Sequence, residues 1–149
     1  MDATWQQHGF EFQYPGFWEI SEQSGDDEFS VTVASPDTSF WSLSLYYDRP
    51  RPEALVESAV SAFREEYPDL DLYPLDSRLC DRPAVSRDVE FLCFDLVNGA
   101  HLRAVQIGRV TAFVLYQGTD AELESTREIL EAMTASLAYH PPIESGLVD

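Results

Sequence analysis

Three histidines, two cysteines and twenty-seven carboxylates are the groups in this 149-residue chain able to ligate a metal, attack a carbon or move a proton. His8, His101 and His140 are far apart and form no HxH or HxxxH pair, so no metal site is expected. Cys80 and Cys93 have neither metal-ligand nor redox spacing, and their apolar flanks predict buried free thiols. Ser145-Gly146 lacks a G-x-S-x-G frame, and no glycine-rich loop precedes a helix, so nucleophile-elbow, P-loop and dinucleotide readings all fail. The nine basic residues are all arginine, which excludes Schiff-base chemistry through a lysine side chain, pyridoxal phosphate attachment included. No cofactor is expected.

Two carboxylates stand out from the rest. A strand running from Val85 to Val97 places Asp95 on the face of Phe91 and Cys93, and Glu90 on that of Leu92 and Phe94. A carboxylate on an apolar strand face is pushed toward its neutral form and can act as an acid or base. The plainer alternative puts each where its strand meets solvent, or pairs it with Arg87 or Arg103 across a hairpin. Aromatics supply the other candidate. Strand Phe40–Tyr47 carries rings on both faces; its Ser42, Ser44 and Tyr46 side, with Trp18 nearby, is expected to form an exposed binding face rimmed by acids.

These residues need elements to hold them. Phe10, Phe12 and Tyr14 alternate with polar residues, and Pro15-Gly16 turns the chain before Phe17-Trp18. Ser21–Asp27 is polar and predicts a loop. Phe29, Val31 and Val33 form a half-buried strand, followed by a hairpin partner with Trp41, Leu43, Leu45 and Tyr47 on one side. Pro52 suits the first position of a helix whose stripe is Val56, Val60, Phe63 and Tyr67, ending before Pro68. Leu70–Leu79 reads as extended, with Pro74 marking an edge strand. Val85–Val97, apolar on both faces, reads as a central or doubly covered strand. Asn98-Gly99 is the strongest hairpin signal, leading to Leu102–Ile107, and Gly108-Arg109 turns into Val110–Gln117. Thr119-Asp120-Ala121-Glu122 is a capping box opening a helix striped by Leu123, Thr126, Leu130, Met133 and Leu137. The expectation is α+β: an antiparallel meander with two amphipathic helices packed on it, as one domain over 1–138 with a loose tail at 139–149.

Composition sets the outer limits. A net charge of −18 repels phosphate backbones and anionic lipid, so neither nucleic acid nor membrane is an expected partner. Hydrophobic residues make up 44% of the chain, enough to argue against disorder and for acids coating a folded body. No run approaches the roughly 18 apolar residues of a membrane span. The start Met1-Asp2-Ala3-Thr4-Trp5-Gln6 lacks a basic, apolar leader, which predicts a cytoplasmic location.

The opening Phe-x-Phe-x-Tyr-Pro-x-x-Trp, Phe10 to Trp18, resembles the start of the Mog/PsbP-like superfamily. The order of elements over residues 9 to 138 resembles it too: a Trp-bearing second hairpin, a mid-chain helix, a long meander and a C-terminal helix. The resemblance implies an α/β/α sandwich and a binding module, members of the superfamily being mostly not enzymes. Members include a Ran-GTPase-binding nuclear factor, an extrinsic photosystem II subunit, bacterial lipoproteins and Eag-type chaperones of secretion effectors. No residue-level functional motif carries over. The joint expectation is a non-enzymatic acidic protein-binding module, an adaptor or secretion-type chaperone, whose partner offers a basic or apolar segment. The alternative is a small-molecule binder or minor enzyme using a carboxylate in a pocket between sheet and helix.

Overall fold

The computed structural model describes residues 1–142. In chain order its elements are β1 (Ala3–Gln7), β2 (Phe10–Tyr14), β3 (Glu19–Gly25), β4 (Glu28–Ala34), β5 (Phe40–Tyr46), α1 (Pro52–Glu66), β6 (Asp71–Leu79), β7 (Arg82–Cys93), β8 (Leu96–Ile107), β9 (Val110–Thr119), α2 (Asp120–Ser136) and β10 (Ala138–Tyr139). A seven-stranded antiparallel sheet runs β3-β4-β5-β9-β8-β7-β6, and a three-stranded sheet runs β1-β2-β10. The architecture is α+β, as the alternation of strand and helix periods implies.

Two apolar clusters sit on opposite faces of the large sheet. Period-two alternation sends Phe29, Val31 and Val33 of β4 and Trp41, Leu43 and Leu45 of β5 to one face. There the small sheet and α2 close over them through Phe10, Phe12, Leu130 and Met133. The other face carries Val89, Phe91, Ala100, Leu102 and Phe113, and α1 covers it with Val56 and Val60. Burying a side chain of this size is worth about 1.5–3 kcal/mol, so these two stripes are the main source of stability.

Several expectations change. Ser21–Asp27 is largely strand, not loop: β3 pairs with β4 from Glu19↔Ala34 to Gly25↔Glu28. Its side chains are almost all exposed, because an edge strand with one solvated face gains its stability from the ladder and shows little apolar pattern. Ala3–Gln7 adds a strand on β2, closed by the His8-Gly9 turn with both residues left-handed (φ 56 and 82). The tail expected from 139 begins as structure: Tyr139 pairs with Phe10, and His140 N–H donates to the Gly9 carbonyl at 2.7 Å. Positions 143–149 of that expected tail lie outside the described residues.

The largest correction concerns Asn98-Gly99. It is not a turn but lies within β8, and the chain reverses at Phe94-Asp95, both left-handed (φ 54 and 63). The register that results pairs Val89 with Ala100 and Arg87 with Leu102, which puts all the apolar residues of α1's face together. Gly99 is used for packing: a Cβ there would lie 3.3 Å from Leu123 Cδ1 of α2. Burial of the whole hairpin outweighs the local turn preference of two residues. The far end of this hairpin then projects beyond both covering helices, so Val85–Val97 is not covered on both faces throughout. Leu92, Phe94, Leu96 and Val97 are 64%, 95%, 55% and 40% exposed.

Candidate functional site

α1 packs chiefly on β7 and β8, so that among the described residues β5, β4 and β3 are largely left open on the same face. The residues of β5 and β4 on that open face are small and polar: Ser42 and Ser44 stand opposite Thr32 and Ser30, and all four are half-buried. Ser42 Oγ donates to the Leu115 carbonyl at 3.2 Å, tying the floor to β9. At the step down from helix to floor lies an open groove of about 390 Å³, walled by Ala59, Ala62, Phe63 and Tyr67 with Leu115 beneath and Glu66 at the rim. Tyr46 packs against the α1 cluster at the other end of β5. Burial raises its phenol above the ordinary value, and the neighbouring Glu28 carboxylate adds to that. Glu19 and Glu28 edge the open strands and, with Glu66, make the border of the floor acidic.

Ser42, Ser44 and Tyr46 therefore share one face, but Trp18 does not join them. Its ring is 5% exposed in the cluster on the other side of the sheet, because the Pro15–Trp18 turn folds it inward and leaves Phe17 outside. The proposed carboxylates are not brought together either. Asp95 sits in the Phe94-Asp95 turn, exposed and on no apolar face. Glu90 is exposed on the side away from α1, accepts from Tyr73 Oη at 3.5 Å, and borders a small cavity of about 130 Å³ beside the start of α2. Neither pairs with Arg87 or Arg103 among the described residues.

The charged pair of that hairpin is Asp88 with Arg103 and His101. Asp88 Oδ1 accepts from Arg103 at 3.0 Å and lies 2.9 Å from His101 Nδ1. Burial pushes the Asp88 carboxyl up, and the His101 hydrogen bond with the two nearby charges outweighs it, leaving a net lowering. The His101 ring stacks on Tyr116 at 4.6 Å, and its Nε2 is buried with no hydrogen-bond partner among the described residues. Asp88 and His101 also line the small cavity that Glu90 borders, and their contacts with Arg103 and Tyr116 brace β7, β8 and β9 against one another. Sequence reading missed this brace because the pairing of Asp88 with His101 follows from the reversal at 94–95, and a turn at Asn98-Gly99 would have set the two apart.

Glu122 is the other group that pattern reading undervalued. Thr119 Oγ1 accepts from the Glu122 N–H at 3.2 Å, which is half of a capping box. The Glu122 carboxylate turns outward instead of back, accepting from Ser35 Oγ at 2.8 Å, Thr38 N at 2.8 Å and Ser39 N at 3.1 Å, and from Thr38 Oγ1. Partial burial opposes ionisation there, but these donors win and hold the carboxyl down at about 2. The thiols are free and half-buried; burial pushes Cys80 up to about 11, and Cys93 accepts from Tyr67 Oη at 3.6 Å. Among the described residues no cluster of histidine, cysteine and acid fit for a metal occurs. No helix among them is long and apolar enough to cross a membrane.

The large antiparallel sheet with a helix on each face and a short N-terminal sheet defines a PsbP-like fold. The solved structures it resembles include the cyanobacterial PsbP of Synechocystis sp. PCC 6803, at 13% identity and a TM-score of 0.57 over 93% of this chain and 92% of that one. PA94 of Pseudomonas aeruginosa, a protein of unknown function, is similar at 14% identity and TM-score 0.55 over 94% and 98%. LpqN of Mycobacterium tuberculosis, involved in cell envelope biogenesis, is similar at 8% and 0.52 over 89% and 83%. Identities this low speak for the fold alone. No family model matches the chain, and no curated protein matches it by sequence.

Proposed function

We propose that this chain is a non-enzymatic protein-binding module, of the adaptor or secretion-chaperone kind, that receives an apolar-anchored, basic-flanked segment of a partner protein along the step between α1 and β5. The observation that carries this reading is the continuity of the α1 groove with the uncovered Ser42–Ser44 floor. Together they form a trough with apolar walls at Ala59, Ala62, Phe63 and Leu115 and carboxylates along its border. Such a trough suits a helix or strand that buries two or three apolar anchors and leaves arginines or lysines at the edge. The net charge of −18 favours encounter with a cationic partner. At the end of α1, Leu92 of the exposed apolar hairpin tip borders a neighbouring hollow with Tyr67 and Leu70. Envelope biogenesis in the LpqN likeness is compatible with a module of this kind and names no partner for it.

The test is differential capture on the full chain, wild type against Ala62→Arg. Ala62 is exposed on α1, so the substitution places over the groove a guanidinium that blocks an apolar anchor and repels a basic flank, at little cost to folding. The reading expects a basic protein, released by salt, that binds wild type and falls at least about tenfold with the variant while Tm holds within a few degrees. An identical capture profile from both proteins would remove the groove from the function.

A further inference from the structure

The other face of the large sheet carries a cavity whose chemistry is the reverse of the rest of the molecule. It holds about 510 Å³ between the two sheets, where the His8-Gly9 turn, the Gly108-Arg109 turn and β10 converge. Rings line it: Phe10 and Tyr139 at 4.9 Å from each other, with Tyr47 and His8 across the opening. His8 packs on Phe29 with ring centroids 4.2 Å apart, the planes tilted at 38°, and meets Tyr47 Oη through Nδ1 at 2.9 Å, which fixes both rings. The convergence depends on Gly108, left-handed at φ 58, because any Cβ there would run into the Tyr139 hydroxyl.

The polar groups facing the cavity are donors or cations: Arg109, His140, the tyrosine hydroxyls and the His8 ring. No carboxylate lines it among the described residues, in a chain where acids outnumber arginines three to one. Arg109 has no ion-pair partner among those residues, whereas His140 meets the Glu11 carboxylate at 3.1 Å. A concave site of this volume, walled by rings with a few converging donors, is the usual form of a small-ligand pocket. Remote acids are screened at physiological salt, where their field decays over roughly 8 Å, so the local guanidinium decides the sign.

We propose that this cavity binds a small flat ring bearing an anionic oxygen group, an aromatic carboxylate or aryl phosphate, with the anion on Arg109 and the ring against Tyr139 and Tyr47. The site lies across the sheet from the α1 trough and stands or falls independently of it.

Titration of the full chain in 0.15 M salt, a condition whose Debye length is about 8 Å, with amide and arginine side-chain NMR tests this. The probes are benzoate, phenyl phosphate and benzylammonium, which share a ring and differ in charge. Saturable shifts at Gly9, Gly108 and Arg109 are expected for an anionic probe, with Kd on the order of 1 mM for a fragment of this size. Whichever anion binds tighter identifies the group that the site takes. Benzylammonium should bind about tenfold weaker or worse, and Arg109→Gln should cost the anion about tenfold while leaving Tm unchanged, Arg109 being exposed in its turn. Equal or tighter binding of benzylammonium, or an affinity indifferent to Arg109→Gln, would overturn the assignment. So would the absence of saturation by both anions at about ten times that concentration.

Discussion

Single side chains set how this fold responds to pH. Glu122 joins α2 to the Ser35–Ser39 loop through four donors, and these hold its carboxyl at about 2 against an ordinary value of 4.5. A group with a depressed folded pKa contributes stability that is present above its unfolded value and disappears as pH falls through the folded one. Glu122 therefore stabilises fully above about 4.5 and loses that contribution between there and about 2. Asp88, also lowered, works in the same direction. Denaturant unfolding at pH 7 and pH 3 should show the wild type losing stability on acidification. Glu122→Gln should cost about 2 kcal/mol at pH 7 and show a weaker pH dependence, an equal dependence in both proteins being the contrary result. Asp88 offers a harsher test. Arg103 is 6% exposed and depends on Asp88 for its countercharge, so Asp88→Ala should cost about 3 kcal/mol in equilibrium unfolding. A loss below about 1 kcal/mol would mean that water already compensates Arg103.

Elements whose apolar period was long enough are legible in the sequence. Both helices end where Pro52, Pro68 and the Thr119 cap predict, and the Val56-Val60 and Leu123-Leu130-Met133 stripes are the buried faces. The half of the candidate site on β5 was readable for the same reason: strict alternation in Phe40–Tyr46 sends Trp41, Leu43 and Leu45 inside and Ser42, Ser44 and Tyr46 to the other face. What failed has two causes. Edge strands β1 and β3 carry little apolar pattern, since each is held by its backbone ladder and a single inward apolar side chain, Trp5 and Ile20. Registers depend on both faces at once, so two turn-prone residues at 98–99 lost to the burial of a twelve-residue strand, and Asp95 and Glu90 moved to solvent with that shift. Trp18 was misplaced because a turn, unlike a strand, gives no period from which to infer its facing. The β7–β8 hairpin makes this testable. Phe94 and Asp95 occupy left-handed conformations that favour Asn and Gly, and the Phe94 ring is 95% exposed. The double substitution Phe94→Asn with Asp95→Gly should raise stability by about 1 kcal/mol and reduce the binding of a hydrophobic dye. Destabilisation would place the reversal elsewhere, since glycine and asparagine favour a turn only where the chain turns.

The molecule as a whole must hold its charge together. A net charge of −18 over 8416 Å² of surface leaves about one charge per 470 Å², a mean spacing of about 22 Å. The Debye length is about 30 Å at 0.01 M salt and about 8 Å at 0.15 M, so the spacing falls between them. Mutual repulsion is therefore felt across the surface in dilute buffer and is largely screened at physiological ionic strength. The cores do not depend on that screening, with Trp41, Phe10 and Phe12 fully buried and apolar clusters on both faces of the sheet. Two accounts of the acidity then part. If the carboxylates only follow from a composition that uses arginine and no lysine, Tm rises by several degrees from 0.01 M to about 0.15 M KCl and then flattens. If the surface is built to hold ions and water at high salt, Tm keeps climbing by tens of degrees toward molar KCl, and the chain is unfolded in dilute buffer. The intact cores and the charge spacing favour the plateau, and a melting series in KCl decides between them. The same series bears on the α1 trough, because a cationic partner drawn by this field must associate more slowly as the field is screened.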